Sequence, residues 1–234
     1  MSEIIINGPE GRLEGRYHHS PKKNSPVAIV LHPHPLHGGT MNNKVTYNIY
    51  HAFAKNGFSV LRFNFRGVGR SQGKFDNGQG ELSDAAAALD WLQLQNSDAS
   101  NYWMGGFSFG SWIGMQLLMR RPEIEGFICV SPPAGKCDFN FLSPCPADGL
   151  IIQGDQDSVV SEEAVAKLAE KLSKQKNAHV DYRVILGADH FYREHLDELN
   201  NNIDEYIKKR MADDANRPKK VKQDRRRRQV QPGS

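Results

Sequence analysis

Two serines stand inside the pattern Gly-x-Ser-x-Gly: Ser71 in "GRSQG" and Ser108 in "GFSFG". The pattern marks a hydroxyl held exposed on a sharp turn between a strand and a helix. The chemistry on offer is acyl transfer, in which that hydroxyl attacks a carbonyl carbon. A serine hydroxyl is a weak nucleophile until a base takes its proton, so a histidine and a carboxylate to orient it are also required. "LIIQGDQDSVV" offers Asp155 and Asp157, and "RVILGADHFY" offers His190 with Asp189 beside it. Serine, acid and histidine in that order, each after its own strand, is one of the chain arrangements this constellation takes.

Such groups must be gathered by a scaffold. "PVAIVLH", "FSVLRFNF", "NYWMGGF", "EGFICVS", "DGLIIQG" and "HVDYRVIL" are short apolar runs that read as buried strands. Between them lie helical stretches: "NNKVTYNIYHAFAKNG", "ELSDAAAALDWLQLQ", "SWIGMQLLMRRP" and "SEEAVAKLAEKLSKQ". A last helix carries Leu196, Leu199, Ile203, Tyr206 and Ile207 on one face. Strands alternating with helices predict an α/β fold: a doubly wound, mostly parallel sheet of about 8 strands, with helices on both faces. An antiparallel hairpin, "SEIII" with "RLEGRYHH", opens it. Reactive groups in such a sheet collect at the carboxyl ends of the strands.

That scaffold separates the two serines. Ser108 follows an apolar strand and an apolar helix starts directly after it, while Gly106 and Gly110 clear the crowded positions on either side. Ser71 follows a strand but leads into "KFDNGQG", a polar, turn-rich loop. Ser108 is therefore the expected nucleophile and Ser71 an ordinary loop serine.

The whole chain of 234 residues has 38% hydrophobic and 24% charged residues, the balance of a soluble globular protein. Three cysteines make an odd number with no framework spacing, which reads as free thiols in a reducing compartment and hence a cytoplasmic location. The start, "MSEIIINGPEG", has neither a basic leader nor an apolar core, and no stretch is long enough to span a membrane. The net charge is +3, yet "RPKKVKQDRRRR" (residues 217–228) alone holds +7, leaving −4 for the rest. The division expected is a folded domain over residues 1–211 and a disordered basic tail over 212–234. Through phosphate charges the tail could meet nucleic acid or another anionic surface, although the acidic body gives no broad affinity for either. "GVGRSQG" has the wrong glycine spacing for a dinucleotide and "GRSQGKF" lacks parts of a phosphate loop, so no cofactor is expected. His32, His34 and His37 crowd six residues, but no cysteine or acid accompanies them, and no metal is expected.

The elbow "GGFSFGS", the acid segment "QGDQDSVV" and the histidine segment "GADHFY" together resemble the α/β-hydrolase superfamily over about residues 1–210. "HPHPLHGGTMNNKV" narrows the resemblance to small, lidless members with an HPHP loop, similar to dienelactone hydrolases but carrying a serine where those use cysteine. "NFRGVGRSQG" is similar to the loop after the fourth strand in many of these enzymes, which accounts for the motif at Ser71. The register of the acid segment in that superfamily, with Gly154 and Val160 as its markers, implies Asp157 rather than Asp155 as the triad acid. His190 is preferred to His195, which falls on the last helix.

An acyl-transfer intermediate carries an oxyanion that needs at least two donors. One should be the N–H of Phe109, the residue after the nucleophile. The other should come from "LHPHPLHGG", where Pro33 and Pro35 lack an N–H and leave that of His34. Only 17 residues separate "EGFICVS" from "GLIIQG", too few for a cap domain. An open site walled by Phe107, Phe109, Trp112 and Leu36 is expected. The reading is a serine hydrolase of carboxylesterase type acting on an ester, thioester or related acyl bond of a small or acylated substrate. The competing reading is a non-catalytic binding module of the same fold, localised by its tail.

Overall fold

The computed structural model describes residues 2–176 and 178–216. Eight strands form one sheet: β1 (Ser2–Gly8), β2 (Gly11–His18), β3 (Val27–Leu31), β4 (Ser59–Phe63), β5 (Tyr102–Phe107), β6 (Ile124–Val130), β7 (Asp148–Gly154) and β8 (Val180–Ile185). Their order across the sheet is β1-β2-β4-β3-β5-β6-β7-β8. β1 pairs antiparallel with β2 and β2 with β4, and from β4 to β8 every pairing is parallel. β3 and β4 are buried along their whole length, which is why they read as unbroken apolar runs rather than alternating ones.

Five helices cover the sheet: α1 (Lys44–Lys55), α2 (Gln79–Gln95), α3 (Phe109–Arg120), α4 (Glu162–Ser173) and α5 (Leu196–Asn216). Two separate apolar layers result. Leu82, Leu89, Ile113, Leu117, Val165 and Leu168 bring α2, α3 and α4 onto one face. Val45, Ile49, Phe53, Leu199 and Ile203 bring α1 and α5 onto the other. The ends are set by local chemistry. Asn43 Oδ1 accepts from the N–H of Val45 and Thr46 to start α1, and Gly57, at φ 87°, turns the chain after it. Ser161 caps α4, with Glu162 and Glu163 in its first turn.

Two boundaries differ from expectation. α2 begins at Gln79, two residues early, because Glu81 reaches back to accept from the N–H of Asp76 and Gly78. α5 continues to Asn216, past the domain boundary set at residue 211, and the Arg210–Asp214 pair one turn apart supports the added length. The basic stretch 217–228 lies outside the described residues. No helix among the described residues is long and apolar enough to cross a membrane. The segment 131–147 is a packed loop, with Ala134, Phe139, Leu142 and Cys145 in the core layer of α2–α4, and it forms no cap over the site.

Candidate active site

Ser108 sits between β5 and α3 at φ 51° and ψ −120°, a backbone conformation that costs a non-glycine residue about 1–3 kcal/mol. The strain is held from several sides. Its N–H donates to Val130 O at 2.9 Å. Ser111, one turn into α3, donates to Gly106 O at 2.8 Å. Gly106 and Gly110 allow the approach: a Cβ on Gly110 would lie 2.3 Å from Leu31 O, and one on Gly106 would lie 2.6 Å from Ser111 N.

Ser108, His190 and Asp157 are joined in one hydrogen-bonded chain. Ser108 Oγ is 3.2 Å from His190 Nε2, and His190 Nδ1 is 2.7 Å from Asp157 Oδ2. A carboxylate can only accept, so Nδ1 carries the proton and Nε2 turns its lone pair to the serine. The Asp157 side chain is fully buried and that of His190 nearly so. Burial raises the Asp157 pKa, but His190 and the N–H groups of Val160 and Val159 outweigh it and hold the carboxyl below its ordinary value. Gln153 Nε2 donates to the same Oδ2 at 3.0 Å. Asp155 points elsewhere: its Oδ1 accepts from Gly187 N at 2.6 Å and braces the loop that carries His190.

The loop after β3 runs against the start of α3. It ends in a short 3-10 turn, Pro35–His37, with His34 Nδ1 accepting from Leu36 N at 3.2 Å. The His34 ring lies 5.0 Å from that of Phe109 between centroids. Among the described residues, the N–H groups of His34 and Phe109 have no acceptor. The histidines of this loop are occupied in other ways. His32 is fully buried, donates from Nδ1 to Pro33 O at 2.7 Å and accepts from Phe65 N at 3.0 Å on Nε2. Burial pushes its pKa down to about 4, so it is a neutral strut between the ends of β3 and β4. His34 and His37 stack at 4.3 Å.

Of the expected walls, Leu36 is 68% exposed on the rim, Trp112 is half-buried with Nε1 donating to Asp138 O, and Phe109 is buried beside Phe75. Phe107 is a correction. It is fully buried in the α1–α5 core layer with its ring 5.1 Å from His190, so it supports the imidazole from beneath and lines no open pocket. Strand alternation sends it to the α1–α5 face, and its position before the serine does not reveal which face that is.

Several contributors carry no local signature. Tyr192, fully buried at φ 53°, holds its hydroxyl 2.9 Å from Ser131 Oγ and donates to Ile152 O at 3.4 Å, which ties the His190 loop to the ends of β6 and β7. Arg62 and Asn64, around the end of β4, grip Met41 from both sides: Arg62 Nη1 donates to its carbonyl at 2.6 Å and Asn64 Oδ1 accepts from its N–H at 2.8 Å. Met41 lies between the 3-10 turn that follows His34 and the start of α1. Ser71 is buried, donating to Asn64 O at 2.7 Å and accepting from Glu14 N at 2.9 Å.

A mostly parallel eight-stranded sheet, no cap, and a strained serine on a strand–helix turn define an α/β hydrolase of the serine-hydrolase type. Within that class, the family model described as X-Pro dipeptidyl-peptidase (S15 family) matches residues 17–227, and the chain belongs to that family. It is similar to an uncharacterised protein of Rickettsia prowazekii, 56% identical over 211 residues, which span 88% of this chain and 89% of the relative. It is also similar to a solved α/β-hydrolase-type protein of Agrobacterium tumefaciens, with 54% identity, TM-score 0.89 and coverage of 91% and 97% of the two chains. A lidless serine hydrolase from Xanthomonas campestris shares 32% identity at TM-score 0.80, over 89% of this chain and 94% of its own.

Proposed function

We propose that the chain is a serine hydrolase that cleaves an ester, thioester or related acyl bond through an acyl-enzyme on Ser108. The continuous hydrogen-bonded path from Ser108 Oγ through His190 to Asp157 carries this reading. His190 Nε2 takes the serine proton as Oγ attacks the carbonyl carbon. Asp157 stabilises the imidazolium that forms and keeps the ring in register. The oxyanion accepts from the N–H groups of His34 and Phe109, each such donor being worth about 10²–10³ in rate. His190 then protonates the leaving group, a water enters, and the same histidine activates it to release the acid. Buried free cysteines at 129 and 145 support a reducing, cytoplasmic setting.

A fluorophosphonate probe tests the reading directly. Wild type is expected to label at neutral pH and Ser108→Ala not at all. A wild type that takes no label favours the binding-module reading instead. Peptide cleavage is a second reading, favoured by the family match over residues 17–227. X-Pro-p-nitroanilides measured against p-nitrophenyl esters separate the two, with faster ester turnover expected.

A further inference from the structure

Phe191 follows His190 and is 40% exposed. Its ring stands edge-on to the imidazole, with centroids 5.2 Å apart and planes at 85°. From this ring a cleft of about 270 Å³ runs to the start of α1, lined by Asn43, Lys44, Val45, Phe191 and Arg193. We propose that this cleft receives the leaving group of the substrate, and that the leaving group is an alcohol bearing a carboxylate or phosphate.

The inference rests on the hydrolase reading above, and its first step is positional. The proton that His190 takes from the serine must pass to the leaving oxygen, so that oxygen departs alongside the imidazole. Ring contacts divide the surroundings of Ser108 into two walls. His34, His37, Phe75, Phe109 and Trp112 form a contiguous set over the oxyanion loop and α3. Phe191 belongs to the other set, touching Phe107 and His190. The cleft therefore opens on the His190 side.

The second step is charge. Two cations and no carboxylate line the cleft. Lys44 makes no ion pair among the described residues, and it stands at the positive end of α1. The Arg193 guanidinium lies 5.1 Å over the Phe191 ring centroid. Its one acidic partner, Asp189, is spoken for: Oδ1 accepts from the N–H of Phe191 and Arg193, and Oδ2 from Arg193 Nη1 at 2.8 Å. That pair is exposed and binds weakly, so the arginine keeps donors for a ligand anion. A ring beside the imidazole, with one cation stacked on it and a second across the cleft, matches an organic leaving group with a negative terminus.

The test compares 3-carboxy-4-nitrophenyl acetate with 4-nitrophenyl acetate, after fluorophosphonate labelling has shown Ser108 to be reactive. Wild type is expected to favour the carboxylated ester by about tenfold in kcat/KM, with the preference shrinking as salt rises. Lys44→Glu should abolish or invert that ratio. Lys22→Glu, the same charge change on an exposed loop at the opposite end of β3, should leave it intact. Equal turnover of both esters overturns the assignment while the labelled serine leaves the hydrolase reading standing. A ratio that falls as far in Lys22→Glu as in Lys44→Glu also overturns it. A wild type that does not label overturns both.

Discussion

Ser71 and Ser108 share the three fixed letters of a five-residue pattern and nothing else. The glycines around Ser108 exist because backbone meets backbone there: a Cβ at 106 or 110 would strike main-chain atoms of α3 or β3. Gly69 is there for its own φ of 57°, and a Cβ on it would meet the side chains of Asn64 and Glu14. Ser108 is strained, and its hydroxyl faces a histidine. Ser71 spends its hydroxyl joining the Asn64 carbonyl to the Glu14 N–H. The loop around it is pinned to α2 by a buried ion pair, with Arg66 Nη2 donating to Asp84 Oδ1 at 2.8 Å and Arg66 N and Nε donating to Oδ2 at 3.0 Å. One motif places a hydroxyl against a histidine and the other makes a joint, and the contacts made by the serine and by its glycines decide which is which.

The sharpest way to break the contrast is to remove each hydroxyl. Ser108→Ala should lower kcat/KM on an activated ester by at least about 10⁴-fold with little change in the urea midpoint. Ser71→Ala should leave activity within about threefold and cost about 1–3 kcal/mol of stability, because the Glu14 N–H loses its buried acceptor. Comparable activity losses in both variants would erase the distinction.

The glycines give a second contrast, read by urea denaturation. Gly110→Ala has no side chain to push aside and should cost more than about 4 kcal/mol, enough to prevent recovery of folded protein. Gly69→Ala needs two polar side chains to move and one residue to stay left-handed, at about 1–3 kcal/mol. A stable Gly110→Ala variant would mean that the elbow is looser than its geometry requires.

The last effect shows only in acid and concerns the strut that spaces the two loops. The folded pKa of His32 is about 4, below the ordinary 6.5, so the unfolded chain binds a proton more readily. Its contribution is complete above pH 6.5 and drains away as pH falls toward 4, by about 3 kcal/mol in all. Stability curves for wild type and His32→Gln should differ in slope across that window and run parallel above it. Parallel curves throughout would show that His32 titrates normally.

Most of the architecture can be read in the chain because parallel strands and their helices alternate in distinct composition. Ser108, Asp157 and His190 are also legible, since each follows a strand end and glycines mark the turns. What escapes has no local pattern. Gln153 holds Asp157, and Tyr192 reaches Ser131, 61 residues away in the chain. Such pairings follow from which loops the sheet order makes neighbours. Phe107 was misplaced for a related reason: adjacency to the serine says nothing about the face of β5. The end of α5 escaped because "ADDAN" is polar enough to read as tail, yet its acid at 214 answers Arg210.

The Tyr192 tie has a consequence for timing. Freeing the loop that carries His190 means lifting a fully buried tyrosine from two strand ends, so that loop cannot open on its own at low cost; it opens when the sheet does. Among the described residues nothing caps the site, so on the proposed hydrolase reading the pace of turnover is left to bond making, bond breaking and the departure of products.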